Sequence, residues 1–474
     1  MRRTIFISIV CALGLLTCPW FHSFARAQRV VQRTPQLSGI DLSPALPSAP
    51  SSSQSLFTSG DTFSLGSIPA YNSYPGATAT LYLDFDGDVT PTWGSYHPGT
   101  TPAYDTDGDP TTFSQDELDN IYQIWSGVAE MFSPFNINVT TVNPGTLVDR
   151  VSLRAVIGGD GMNGGANYWP GARAGGIGYI GGFTNSNPNT VYIFPGNLRN
   201  GTPRFTAMAA AHETGHSLGL EHISEYIGDT KVQEYSDNDP TTTGDGTGHY
   251  SAQPRAPIMG VSYFADRGLW WNGTSSASYI IQDDLLTISG YPNSFGYRPD
   301  DHGNTAATAT PMILSGETFL GSGVIETIDD QDRFSFVLNA DTNAVFQLLG
   351  APYNQMLDPS MVLYGSDDSV LQMVATNGLS ETMFAALPAG AYTVGIFSAG
   401  NYGDVGQYFL TVSIPEPHAS VLLLLIPLLN RRRARRVDAG GLASKLSGWN
   451  GSFAGHRADR PCVAAPQCWT VGPS

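Results

Sequence analysis

At 474 residues the chain has room for two or three domains and an ample core. Its formal charge of −18, carried by 41 Asp and Glu against 23 Lys and Arg, suits an exported protein and argues against nucleic acid, whose phosphates it would repel. Cys11 and Cys18 lie near the start and Cys462 and Cys468 near the end, so the body has no disulfide and no thiol able to plug a metal site.

Residues 1–27 combine a basic start, an apolar run and Ala25-Arg26-Ala27, the make-up of a secretory signal cut before Gln28. Residues 28–75 are rich in Pro, Ser, Thr and Gln without a sustained period, and read as a linker or short pro-segment. A globular pattern begins near residue 76. ATLYLDFDG (79–87) alternates as a strand does. Ser114-Gln115-Asp116-Glu117 is a capping box opening a helix whose Leu118, Ile121, Tyr122, Trp125, Val128 and Phe132 share one face. FNINVTT (135–141), VSLRAVIGG (151–159), the Gly-rich GGIGYIGGF (175–183) and TVYIFP (190–195) follow as strands.

Thr202-Pro203 then starts a helix that runs into HETGHSLGLEH (212–222). His212 and His216, four apart, share a face about 6 Å apart along the axis, and two imidazoles so placed can hold one Zn²⁺ at about 2.0–2.1 Å each. Glu213 projects beside them, placed to take a proton from water without being a ligand. Gly219 can adopt the left-handed backbone that ends a helix, which lets the chain turn and bring back His222 as third ligand. Three neutral imidazoles leave a fourth position open, as catalytic zinc sites do. HExxH alone also occurs on ordinary solvated helices; the third histidine after a glycine is what sharpens the signal. Downstream, Ala256-Pro257-Ile258-Met259-Gly260 is a turn centred on Met259, which as a bare sequence reads equally as core filling.

These two motifs resemble the metzincin clan of zinc metallopeptidases, with Met259 as the structural Met-turn. The element order from residue 79 to 222 is that of the clan's upper half. The resemblance covers roughly residues 76–292 and is closest to reprolysin-like domains of bacterial secreted proteins, through LDFDGD, IWSGVAEMFSPFNINVTT, GGIGYIGGF and IMGVSY. It implies Zn²⁺ on His212, His216 and His222, Glu213 as general base, and an edge strand at Ile177, Gly178, Tyr179 and Ile180 that binds extended peptide by strand addition. An ordinary edge strand is the plainer alternative. Tyr263 is a candidate oxyanion stabiliser by the same resemblance, although it lies four residues past Met259 and not two. Ile223 follows the third histidine where better-known subfamilies place Asp, Ser, Pro or Glu, which leaves the subfamily open. The lower half, 223–292, reads mostly as loop with a short helix near 282–289.

Two acidic clusters, Asp84/Asp86/Asp88 and Asp105/Asp107/Asp109, offer oxygen ligands; they fit either Ca²⁺ or solvated turn carboxylates, and neither has an EF-hand's Glu at position 12. His249-Tyr250 reads as a surface or turn element, with a fourth ligand as the alternative. From residue 297 to 414 short strands with Gly/Asn/Asp turns predict a β-sandwich. DDQDRFSF and LPAGAYTV make it resemble the pre-peptidase C-terminal domain found beside secreted bacterial proteases, with a role in stability or attachment. Pro415-Glu416-Pro417, an apolar run of about eleven residues, too short to span a bilayer, and RRRARR (431–436) resemble the PEP-CTERM sorting signal of Gram-negative bacteria. Residues 437–474, polar and Gly-rich, read as a disordered tail.

The expected fold class is therefore α+β: a metzincin-type domain with a mixed twisted sheet, an active-site helix and a Met-turn, followed by an all-β sandwich. The expected function is a secreted zinc endopeptidase acting on protein or peptide, with transient membrane association through the sorting signal and no nucleic-acid partner; the oligomeric state is not legible. A non-catalytic cell-envelope binding protein on the same scaffold is the alternative, and a zinc hydrolase of non-peptide substrates a third.

Overall fold

A computed structural model describes residues 61–161, 174–238, 253–277, 279–376 and 378–414, and the backbone of 469–471. The expected signal peptide, most of the expected linker, His249-Tyr250, the expected sorting signal and most of the tail lie outside the described residues. No helix among the described residues is long and apolar enough to cross a membrane.

Few helices and many strands give a mixed α+β molecule. The first half is built on strands β1 (Ala79–Asp84), β2 (Ile137–Thr140), β3 (Ser152–Ile157), β4 (Gly176–Tyr179) and β5 (Thr190–Ile193), in the order β4-β5-β3-β1-β2. β1 runs parallel to β2 and β3, and β3 parallel to β5; only β4 is antiparallel to its neighbour β5, with Gly176 opposite Ile193. Helix α1 (Gln115–Phe132) starts at the expected capping box: Ser114 Oγ accepts from Glu117 N (3.3 Å) and Glu117 Oε2 accepts from Ser114 N (2.8 Å). Its apolar stripe packs on the sheet, yet from Ile124 onward the helix is buried on every side. A second helix, α2 (Pro203–Ser217), crosses it through small residues, and a Cβ on Gly127 would meet that of Ala207 at 3.2 Å. Thr202 does stand at the N-cap, but its side chain donates back to the Arg199 carbonyl (3.0 Å) and does not cap α2. The short helix α3 (Asp284–Ser289) is capped by Asp283, which accepts from Leu286 N.

Two features depart from expectation. Residues 61–75, read as the end of a linker, are part of this half: Thr62–Phe63 pairs with Phe113–Ser114, and Tyr71 stacks on Trp125 with ring centroids 4.9 Å apart. Composition concealed this, because the segment is held by aromatic contacts and by hydrogen bonds to residues 138–141, and not by a periodic stripe. Within the tail expected to be disordered, Trp469–Val471 forms a strand parallel to β4 and closes its outer edge. An edge strand presents unpaired N–H and C=O groups, so it accepts another strand with little demand on sequence.

The second half is a sandwich of two five-stranded sheets. One contains β6 (Thr310–Pro311), β9 (Gln331–Leu338), β14 (Gly390–Ser398), β11 (Pro359–Tyr364) and β12 (Val370–Val374). The other contains β7 (Ile313–Ser315), β8 (Thr318–Ile325), β15 (Gly406–Ser413), β10 (Thr342–Gly350) and β13 (Ser380–Leu387). Alternating residues such as Phe334, Phe336 and Leu338 face the shared core. The sandwich is docked on the first half. Met356 and Val405 belong to the first half's core cluster. Fully buried Glu130 of α1 accepts from the backbone N of Met356 and of Gln407, both at 3.1 Å. Buried Arg267 donates to the Met356 carbonyl (2.7 Å) and to Asp404. This explains why α1 is buried all round: the sheet, α2 and the sandwich each cover a side.

Candidate metal centre and active site

α2 carries His212, Glu213 and His216, and all three are buried. The helix ends where expected. Gly219 has φ +99°, and Leu220 N turns back to bond the Gly215 carbonyl (3.0 Å). The reversal carries His222 to the other two histidines, and one ring nitrogen of each lies within 4.8 Å of the others. Which nitrogen points inward follows from the outer contacts. His212 Nδ1 bonds the Ile258 carbonyl, His216 Nδ1 the Leu220 carbonyl and His222 Nδ1 the Glu234 carboxylate, each at 2.7 Å. Carbonyl and carboxylate oxygens only accept, so each Nδ1 carries a proton and Nε2 is the nitrogen left to face a metal. All three Nε2 atoms are buried without a hydrogen-bond partner. Burial, with the neighbouring His222 ring, lowers the His212 pKa to about 3; burial with the His212 and His222 rings takes His216 well below its usual value. Three convergent, otherwise unsatisfied imidazoles fit a zinc ion, and the outer hydrogen bonds are of the kind that orient zinc-bound histidines.

The Met259 turn supports this arrangement through its backbone. Ile258 supplies the acceptor for His212, and the Met259 carbonyl accepts from Ile223 N (2.8 Å), fixing the residue after the third histidine. The Met259 side chain is fully buried; its Sδ lies 2.6 Å from where a Cβ on Gly215 would fall. Strand β4 lies against the same helix. Ile177 and Tyr179 point away into a cluster with Trp93 and Tyr192, so Gly176 and Gly178 face α2. A Cβ on Gly176 would sit 2.5 Å from Glu213 Cγ, and one on Gly178 would sit 2.8 Å from the Glu213 carbonyl oxygen. The glycines therefore let the strand backbone press on the helix at Glu213. Ile180 falls in the turn beyond the strand, where its carbonyl accepts from Asn185.

Tyr263 is not brought to the histidines. Its ring packs on Phe205 (5.3 Å between centroids), seven residues before His212, or about 10 Å along the helix axis. The tyrosine at the triad is Tyr235, with its ring 4.4 Å from that of His222 and 6.4 Å from that of His212. Neither Tyr235 nor Glu234 was singled out from sequence: both lie on an irregular segment with no fixed spacing to the motif. Partial burial raises the Glu234 pKa, but hydrogen bonds from His222 and Lys231 together outweigh it and hold the carboxyl below its usual range.

The two acidic clusters prove to have partners within the chain. Asp84 and Asp88 both bind Arg154, and Asp88 also accepts from the Tyr192 hydroxyl (3.2 Å). Asp105, Asp107 and Asp109 accept from nearby backbone N–H groups, and one oxygen each of Asp105, Asp107 and Glu117 lies within 4.8 Å of the others.

Residues 135–223 match the metallopeptidase family M12B, reprolysin-like. That span runs from β2 through α2 to the residue after His222. It supports a metallopeptidase, with zinc as its ion and protein or peptide as its substrate class. No curated protein matches the chain. Similar solved structures include the pre-peptidase C-terminal domain of collagenase from Bacillus anthracis, at 18% identity over 23% of this chain and 100% of that one, with a TM-score of 0.20. Another is PliG of Aeromonas hydrophila, a periplasmic inhibitor of g-type lysozyme, at 17% identity over 23% and 96%, with a TM-score of 0.19. A third is the Yersinia pseudotuberculosis-derived mitogen, at 11% identity over 21% and 86%, with a TM-score of 0.16.

Proposed function

We propose that the chain is a secreted zinc endopeptidase in which His212, His216 and His222 hold the metal and Glu213 is the general base. The observation that carries this is the convergence of three buried, unpartnered Nε2 atoms, two from the helix that also bears Glu213 and one from the chain after its turn. Bound there, zinc supplies Lewis acidity toward a carbonyl oxygen and acidifies water. Glu213 takes a proton from the attacking water and delivers it to the departing amine. Its position is set by α2 on one side and the Gly176 backbone on the other. Substrate lies extended along the outer edge of β4, at Ile177 to Ile180, bound through backbone groups. That edge's pairing with Trp469–Val471 supports its capacity to take a strand, and substrate would use the same groups. Export and the C-terminal sorting signal belong to the proposal on the sequence alone.

The test is Glu213→Ala. The variant should retain one zinc per chain and lose at least about 10²-fold in casein digestion, the lower range for a general base. Digestion at the parent's rate would remove Glu213 from the mechanism. A zinc-loaded parent that cleaves neither casein nor a peptide library would favour the binding-protein alternative.

A further inference from the structure

The outer edge of β4 is occupied by the chain itself. Trp469–Val471 runs parallel to it, with Trp469 opposite Ile177, Thr470 opposite Gly178 and Val471 opposite Tyr179. On the inner side β4 pairs with β5, Gly176 opposite Ile193 and Ile177 opposite Tyr192, so both sides of the strand are in use. The register matters because this stretch adjoins the general base. A Cβ on Gly176 would sit 2.5 Å from Glu213 Cγ, and one on Gly178 would sit 2.8 Å from the Glu213 carbonyl oxygen. Trp469–Val471 therefore runs one strand spacing, about 4.8 Å, outside the part of β4 that presses on Glu213.

A backbone N–H has one proton to donate, so the outward groups of residues 177–179 cannot serve this segment and an incoming peptide together. The occupant can also be displaced. Trp, Thr and Val are good strand formers, but Pro466 stands before them and Gly472-Pro473 follows. Proline cannot extend a ladder, so the pairing has little room to grow, and so short a strand is marginal by itself. Covalent connection offsets that weakness. The segment is joined to the sandwich through residues 415–468, and it returns to the edge at an effective concentration that dilution does not lower.

We propose, resting on the reading of β4 as the substrate edge, that Trp469–Val471 is an intramolecular competitive inhibitor which must leave β4 before a peptide can pair there. A strand that merely shields the edge from other chains would be part of the fold and would not make way for substrate. A competitor raises KM and leaves kcat alone, because it is absent from every complex that reacts and does not alter the histidine centre. A break anywhere in residues 415–468 would turn the segment into a separate peptide, lost on dilution, and leave the edge open.

The test keeps the full chain, loaded with one equivalent of zinc, and compares the parent with the double variant Trp469→Pro/Thr470→Pro. Successive N–H groups of a strand point to opposite sides, so removing two in a row removes the one that faces β4. Hydrogen exchange across residues 177–179 should become about 10-fold faster in the variant, the worth of one or two backbone hydrogen bonds. KM for casein should fall by the same factor, since both readouts report the same closed fraction, while kcat and the unfolding midpoint stay where they were. Unchanged exchange would show that the segment does not hold the edge; that overturns the inhibition and leaves β4 free to be the substrate edge. Faster exchange with KM unchanged, or with no casein cleavage to measure, would overturn the substrate edge and the inhibition together. A variant that loses kcat and unfolds earlier would show the segment to be a structural cover and not a competitor.

Discussion

The imidazoles at the centre differ in what holds their outer nitrogens. His212 and His216 bond backbone carbonyls, which no side-chain substitution removes, whereas His222 depends on the Glu234 carboxylate. Glu234→Ala should leave the fold intact and weaken zinc retention by about 10–100-fold, the range for partners that orient a metal-bound histidine. Competition with a zinc-binding dye measures it, and an unchanged affinity would show His222 to be oriented by packing on Tyr235 instead. Gly176 makes a different demand. A methyl there meets both Glu213 Cγ (2.5 Å) and the Tyr192 carbonyl (2.7 Å), so the strand or the glutamate must move. Since a displacement near 1 Å costs about 10²-fold in rate, Gly176→Ala should lose that much in kcat while keeping its zinc. If activity and metal content fall together, the strand and not the base has shifted.

Among the elements, α1 does more than cover the sheet. Glu130 sits in its last turn, buried, accepting three hydrogen bonds from Met356 and Gln407 of the sandwich. Glu130→Ala strands those donors and should cost about 3 kcal/mol, read from denaturant unfolding. Its titration gives a second handle. Burial raises its pKa to about 7, so between the unfolded value near 4.5 and 7 the folded chain binds more protons than the unfolded one. That contribution to stability is greatest at low pH and is lost as pH rises toward 7, with no further change above. Relative to Glu130→Gln, the parent should therefore lose stability between pH 5 and pH 8; a flat difference would mean that the hydrogen bonds keep Glu130 ionised throughout. This role was not legible in the sequence, where Glu130 stands beside an apolar stripe like any solvated helix residue. The strands of the first half, the capping box and the helix stop at Gly219 were legible because each depends on neighbours in sequence. Glu234, Tyr235 and the packing of residues 61–75 depend on chain returning from elsewhere and leave no periodic trace. Tyr263 shows the same limit: an offset from Met259 says nothing of which end of α2 the following loop meets.

At the scale of the whole molecule, sequence composition separates two domains near residue 295, and the packing joins them. Arg267, 5% exposed, extends its guanidinium to acceptors on the sandwich side: the Met356 carbonyl, Asp404 and Asp358. The Tyr402 hydroxyl reaches back to Asp283 (2.5 Å) and accepts from Leu285 N (2.9 Å) at the start of α3. Separating the halves would expose core residues such as Met356 and Val405 and strand a buried arginine together with a buried glutamate, each a cost of several kcal/mol. Neither half has an independent folded state to fall back on without meeting that cost, so unfolding should be a single cooperative step. The distribution of aromatic residues makes this measurable. Trp93, Trp125, Trp270 and Trp271 all lie in the metal-centre half, and residues 297–414 contain no tryptophan. Denaturant curves followed by tryptophan fluorescence and by the far-ultraviolet signal of both halves should therefore coincide. Stripping zinc should move both curves to lower denaturant together, because the sandwich feels the loss of the histidine centre through α1 and Arg267. Two separated transitions, with the later one indifferent to zinc, would show instead that the sandwich is a passenger that folds by itself.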